Sequence, residues 1–189
     1  MTVVAVLGSP SMTSNSSKLA EIAIDVIDPT GTESKRFVVN ELRALGCQSC
    51  YTCKTKSEFC VLTDDLSLVL STAAAADFLI VTAPVYIGSV SAQAKIFIDR
   101  TFSWMKPDFK TSAIAGRLSP GKKCLFIMTQ GNPDPAVYQG VYESFLAYFS
   151  WLGFKTAGVL ASGLEAADVT LGRLDLVKEV EEKVKGLLA

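Results

Sequence analysis

The sequence predicts a doubly wound α/β domain on a five-stranded parallel sheet, with strands in the order 2-1-3-4-5. Three observations carry that expectation. Short β-branched runs alternate with longer stretches of helical apolar spacing, and five such pairs can be counted along the chain. The 189 residues, 49% hydrophobic, suffice for one good core and fall short of two ordinary domains, so residues 1–189 read as one unit. Turn-rich loops follow the first and third strands directly, where a doubly wound sheet opens its ligand crevice.

Taken in order, the strands fall at 3–7, 35–39, 78–82, 124–129 and 155–160, and the helices at 16–27, 65–76, 92–104, 136–152 and 167–188. Two segments break the rhythm. Residues 40–63 form an insertion after strand 2 that carries four of the five cysteines. Residues 101–121, with Pro107, Gly116, Pro120 and Gly121, make a long connection, and connections of that length in compact domains are usually functional or mobile.

Composition excludes several classes of function. With Lys+Arg 18 against Asp+Glu 19 the formal charge is -1, and like charges are not clustered, so neither a nucleic-acid groove nor a polybasic membrane patch is expected. Met1 to Gly8 has no basic leader region and ends in a Gly-Ser-Pro turn, which reads as a strand of a cytoplasmic protein. The apolar region 68–88 is broken by Ser71, Thr72, Asp77 and Pro84 and does not suit a membrane span. There is no histidine, which removes the usual general base and every histidine-containing metal site. Chemistry is left to a cofactor, cysteines or carboxylates.

After strand 1 comes a loop dense in hydroxyls, Gly8-Ser9-Pro10-Ser11-Met12-Thr13-Ser14-Asn15-Ser16-Ser17-Lys18, leading into a helix. A helix N-terminus offers unpaired N–H groups and partial positive charge, and short hydroxyl side chains add donors, so the loop suits a phosphate dianion. It has neither the G-x-G-x-x-G pattern of dinucleotide sites nor the lysine of a P-loop. The plain alternative is that Ser14 or Asn15 only caps the helix.

Strand 3 runs into Ala83-Pro84-Val85-Tyr86-Ile87-Gly88-Ser89, and in this strand order that turn opens into the same crevice. An isoalloxazine needs an apolar or aromatic surface for its face and backbone groups for its pyrimidine edge, which such a turn provides, with Tyr86 as the stacking residue. The alternative is an ordinary Pro/Gly turn. A third loop, Thr129-Gln130-Gly131-Asn132-Pro133, closes the same side and is placed to contact the ring edge or the ribityl chain.

The sharpest chemical signal is Cys47-x2-Cys50-x2-Cys53-x6-Cys60. In a reducing compartment a disulfide framework is not expected. Structural zinc usually uses two separated knuckles, whereas cysteines at successive x2 intervals wrap one loop around a cubane, so the spacing favours a [4Fe-4S] cluster. Zinc, and free or redox-active thiols, remain as alternatives. Asp64 or Asp65 caps the next helix, Asp99 and Arg100 read as a solvated or interface pair, and Cys124 reads as a buried core thiol.

These residues resemble the NAD(P)H-dependent FMN reductases of flavodoxin-like fold. The resemblance lies in Gly8-Ser9-Pro10 with Ser14-Asn15-Ser16, in Pro84-Val85-Tyr86, and in Lys95-Ile96-Phe97-Ile98-Asp99-Arg100. It implies FMN, with Ser9, Ser11, Ser14, Asn15, Ser16 and Ser17 around the phosphate and Pro84, Val85, Tyr86, Ile87, Gly88 and Ser89 bordering the isoalloxazine. Ser11 departs from the many relatives that carry arginine there. The quartet, with Cys60-Val61-Leu62-Thr63-Asp64-Asp65, resembles the iron-sulfur flavoprotein branch, which implies Cys47, Cys50, Cys53 and Cys60 as cluster ligands. It further implies a homodimer or homotetramer and electron flow from a ferredoxin-like donor to small oxidants. The rivals are an NAD(P)H-dependent FMN or quinone reductase without a cluster and a non-enzymatic flavodoxin-like carrier. Tyr138, Tyr142, Phe145, Tyr148, Phe149 and Trp151 carry more aromatic surface than one sheet face readily covers: much of it is expected in the core, and some of it, with the 101–121 loop, in a homo-oligomer interface.

Overall fold

The computed structural model describes residues 1–27, 33–166 and 169–189. The strands are β1 (Thr2–Leu7), β2 (Glu33–Val38), β3 (Phe78–Tyr86), β4 (Ser89–Val90), β5 (Lys123–Thr129) and β6 (Lys155–Ala161). The helices are α1 (Asn15–Ile27), α2 (Thr52–Thr55), α3 (Asp65–Ala75), α4 (Ala92–Arg100), α5 (Ala136–Trp151) and α6 (Leu174–Leu188). Three 3-10 turns, Val39–Glu41, Thr101–Trp104 and Thr170–Gly172, join them.

The sheet runs β2-β1-β3-β5-β6, all parallel, which is the predicted five-strand order once the short β4 is set aside. The structural basis is the period of two. Val3, Ala5 and Leu7 face one side of β1 and pack with Phe78, Ile80, Leu125 and Ile127 under α1 and α6. Val4 and Val6 face the other side and pack with Leu79, Val81, Phe126 and Met128 under α3, α4 and α5. Strands covered on both faces need continuous apolar runs, which is what the sequence shows. Cys124 is fully buried in this second core, as expected, and burial pushes its thiol pKa well up.

Several boundaries differ from the sequence expectations. β3 continues four residues beyond 82, through Pro84, and its end folds back on β4 with Val85 opposite Val90 and Tyr86 opposite Ser89. The two-residue turn between them has Ile87 at φ 45 and Gly88 at φ 84, the left-handed pair that a tight hairpin needs. The expected helix at 92–104 tightens after Arg100 into a 3-10 turn. The expected start of the last helix at Ala167 lies outside the described residues, and α6 itself begins at Leu174.

The 101–121 connection is pinned at its base. Met105 bridges Gly116, Lys106 N–H donates to Ala115 O (2.8 Å), Arg117 N–H to Trp104 O (2.8 Å), and Ala115 N–H to Trp151 O (2.9 Å). An edge-to-face ring chain, Tyr51–Phe102–Phe109–Trp151, runs across it from the cysteine segment to α5. Among the described residues no helix is long and apolar enough to cross a membrane.

Candidate functional site

The carboxyl ends of β1, β3, β5 and β6 frame a crevice of about 280 Å³. Ser9, Ser11, Ser14, Asn15 and Ser16 form one wall, Pro84, Val85 and Tyr86 another, and Thr129, Gln130 and Gly131 lie between them. Leu164, Glu165 and Ala166, which the sequence reading did not single out, close the remaining side. The signal for them was available, since they follow the last strand and ligands of such sheets bind beyond the carboxyl ends. Four residues expected at the cofactor are not in the lining. Ser17 is buried and donates to Ser11 O (3.1 Å), Ile87 and Gly88 form the hairpin tip, and Ser89 pairs with Tyr86.

Local chemistry explains how the hydroxyl loop holds its shape. Gly8 donates to Thr82 O (2.9 Å), and a Cβ there would sit 2.4 Å from that oxygen and 2.6 Å from Ala94 Cβ, so the turn requires glycine. Ser14 Oγ accepts the Ser17 N–H (3.2 Å), capping α1. Asn15 anchors the opposite wall: its Nδ2 donates to Ala166 O (2.8 Å), and its Oδ1 accepts from Val169 N–H, Thr170 N–H and Thr170 Oγ1. That leaves Asn15 its backbone N–H, rather than its amide, to face a ligand.

The lining suits a ligand with a small anion at one end and a flat apolar body at the other. Serine hydroxyls and the first N–H groups of α1 gather at one end, and Pro84, Val85, half-exposed Tyr86 and Leu164 at the other. Gln130 Nε2 donates to Ser162 Oγ (2.7 Å) and Asp134 O (3.0 Å), while its Oε1 is buried with no partner, an acceptor available to a ligand hydroxyl or N–H. Among the described residues no lysine or arginine lines the crevice and Glu165 is its one charged residue, so an anion would rely on helix dipole and hydroxyl donors.

The four cysteines of the quartet line a second cavity, of about 360 Å³, with Tyr51, Val61, Leu62, Asp99, Arg100, Phe102 and Ser103 in its wall. Left-handed backbone at Ser49 (φ 53) and Tyr51 (φ 55) coils the loop on either side of Cys50. Cys47 and Cys50 are exposed, Cys60 is half-buried and Cys53 is buried. Among the described residues no three Cys, Asp or Glu side chains converge on one point as a single ion would need. The four residues line one cavity instead. Thr52 hydrogen bonds lower the pKa of Cys50, and Lys54 Nζ lies 3.4 Å from Cys53 Sγ.

Arg100 corrects the sequence expectation of a solvated pair. Its side chain is wholly buried, with Nη1 2.8 Å from Asp64 Oδ2 and 3.0 Å from Leu45 O, while Asp99 pairs with Lys95 on the surface. Asp64 is the N-cap of α3, as expected of one member of the acidic pair, and also accepts the Leu45 N–H (3.0 Å). Burial alone would raise the Asp64 pKa, but Arg100, Leu45 N–H and Ser67 together hold it below the usual carboxylate value. Helix α4 thus joins the two sites: Ser91 at its N-cap bonds the crevice loop, and Arg100 at its last residue walls the cysteine cavity.

A parallel doubly wound sheet with its crevice at the switch between β1 and β3 defines a flavodoxin-like protein. The chain belongs to the NADPH-dependent FMN reductase family, whose model matches residues 1–134. It is 31% identical over 109 residues to an iron-sulfur flavoprotein of Methanosarcina thermophila, covering 58% of this chain and 56% of that one. With an iron-sulfur flavoprotein of Archaeoglobus fulgidus it shares 35% over 100 residues, 53% of this chain and 45% of the other. The chain therefore spans about half the length of the curated relatives it matches. Among solved structures, an FMN-dependent NADH-azoreductase from Bacillus anthracis in complex with FMN superposes with a TM-score of 0.74 over 100% of both chains, at 17% identity.

Proposed function

We propose that the protein is an FMN-dependent oxidoreductase that moves electrons between a reduced donor, either a ferredoxin-like protein or NAD(P)H, and small oxidants or quinones. FMN occupies the crevice and a [4Fe-4S] cluster the cysteine cavity. The observation that carries the reading is the gathering of all four quartet cysteines in the lining of one cavity, with donors at Cys50 and Cys53, since thiolates need such hydrogen bonds and a cubane spreads its irons over separate corners. The similarity to iron-sulfur flavoproteins supports it.

Bound FMN exchanges two electrons as a hydride or one at a time. The chain's own residues bind and orient. Ser9, Ser11, Ser14 and Ser16 with the α1 terminus hold the phosphate, Gln130 Oε1 accepts from the ribityl chain or ring edge, and Tyr86 presents its face to the ring. Cys47, Cys50, Cys53 and Cys60 ligate the cluster, and Lys54 and Arg100 balance its negative charge.

Helix α5 supports a homodimer or homotetramer. Of its sixteen residues only Phe149 is fully buried, while Tyr138, Tyr142, Phe145 and Tyr148 stay partly exposed, the last two lining a groove shared with α4. Light scattering at micromolar concentration is expected to give a multiple of the 20.2 kDa chain mass.

Absorption of anaerobically purified protein, with iron and acid-labile sulfide analysis, tests the cofactor reading. Flavin bands on a broad shoulder with about four irons per chain, the iron lost in Cys50→Ser, are expected. Flavin without iron or sulfide, bleached by NAD(P)H, would replace this reading with a cluster-free FMN or quinone reductase, a second reading that the exposure of Cys47 and Cys50 favours.

A further inference from the structure

We propose that Arg100 is a positioning residue that fixes a positive charge in the wall of the cysteine cavity and raises the reduction potential of the centre held there. This rests on the cluster reading above. Arg100 is among the largest fully buried side chains of the protein, and a buried guanidinium must have its charge and its donors met. Asp64 takes two of them, at 2.8 and 3.3 Å, and Leu45 O shares one at 3.0 Å. Nε is buried without a partner. A pair serving only to brace the fold has no reason to leave that donor unmet. Arg100 lines the cavity of the four cysteines and Asp64 does not, so the ion pair turns its positive end toward that cavity.

The physical consequence follows from charge. A cluster bound by thiolates becomes more negative with each added electron, so an ion pair whose positive end lies nearer the cavity stabilises the reduced state more than the oxidised one. Arginine stays protonated at all working pH values, and at 0% side-chain exposure it is poorly screened by salt. Lys54 makes a parallel contact on the other side. Its Nζ lies 3.4 Å from Cys53 Sγ, held by Phe102 O at 2.6 Å and 4.1 Å above the Phe102 ring. Lys54 is partly exposed, which leaves Arg100 as the immobile charge.

The test is an anaerobic redox titration of the full chain with dithionite as electron donor and mediator dyes, followed by the cluster's optical or EPR signal. Arg100→Gln and the double variant Asp64→Asn with Arg100→Gln, which leaves no unpaired carboxylate, are compared with wild type. Lys178→Gln, on α6, is the control for net charge. Iron per chain and the thermal melt of the iron-free protein are recorded for each. The expected result is retained iron with the one-electron reduction equilibrium lowered about tenfold in Arg100→Gln, about 59 mV more negative, a smaller shift of the same sign in the double variant, which removes both charges of the pair, and no shift in the control. Unchanged potentials in variants that keep their iron would overturn the proposal and leave Arg100 a brace. Loss of iron from both variants with wild-type melts would also overturn it, in favour of a role in assembly. Wild-type protein that holds neither iron nor sulfide after anaerobic reconstitution would instead overturn the cluster reading itself, and the proposal with it.

Discussion

The Ser91 hydroxyl donates to the Gly8 carbonyl at 2.6 Å while accepting the Ala94 N–H at 3.2 Å, so one buried side chain ties the crevice loop to the first turn of α4. Replacing it removes an N-cap and strands a carbonyl away from water. Ser91→Ala is expected to destabilise by about 2–3 kcal/mol in urea denaturation and to weaken FMN binding. A loss within about 0.5 kcal/mol would show that the tie is not energetically significant.

Asn15 illustrates a phosphate-loop position whose side chain has a structural task. Asn15→Ala removes its bonds to Ala166, Val169 and Thr170 and leaves buried groups unmet. The expected cost is about 3 kcal/mol, with faster hydrogen exchange of the Val169 and Thr170 amides. Unchanged exchange at those amides would contradict the anchoring role.

Among the described residues no cationic side chain lines the crevice, and Ser11 is exposed at its rim. Ser11→Arg is expected to tighten FMN about fivefold at low ionic strength, with the gain fading as salt rises. Fluorescence titration at two salt concentrations checks both halves of the expectation.

Ile87 sits at φ 45 with its side chain fully in solvent, so it carries backbone strain with no burial to offset it. Ile87→Asn, which tolerates the left-handed region, is expected to stabilise by about 1 kcal/mol, read as a higher Tm. A lower Tm would mean that the isoleucine makes a contact that the isolated chain does not show.

Alkali should unfold the protein partly through Tyr148, whose phenol bonds Thr101 Oγ1 at 2.6 Å. Burial pushes its pKa up to about 12, outweighing the Thr101 hydrogen bond that favours ionisation. The folded state therefore holds the proton more tightly than the unfolded chain. Its contribution is complete below pH about 10 and declines as pH rises toward 12. Tyr142, also pushed up to about 12 by burial, acts in the same direction. Tyr148→Phe is expected to flatten this part of the stability curve, by at most about 2.7 kcal/mol. An unchanged slope between pH 10 and 12 would place the alkaline transition elsewhere.

The sequence by itself determined the parallel sheet, because strands covered on both faces must be continuously apolar and the helices between them amphipathic. Both patterns are local, and Val3 to Leu7 or Cys124 to Thr129 display them without reference to the rest of the chain. The hydroxyl loop and the cysteine spacing were legible for the same reason. Only the tertiary structure decided which of those side chains face the crevice and which brace it. Asn15 is 155 residues from Thr170 in the chain, and nothing local marks the pair. Leu164, Glu165 and Ala166 entered the wall through strand order rather than through any motif of their own. Arg100 looked solvated because charged residues at helix ends usually are, yet Asp64 and the loop carbonyl of Leu45 allow it to be buried in the wall of the cysteine cavity. Hydrogen bonds and ion pairs between distant segments exist only once the chain is folded, which is why a periodicity can announce a strand and cannot announce a partner.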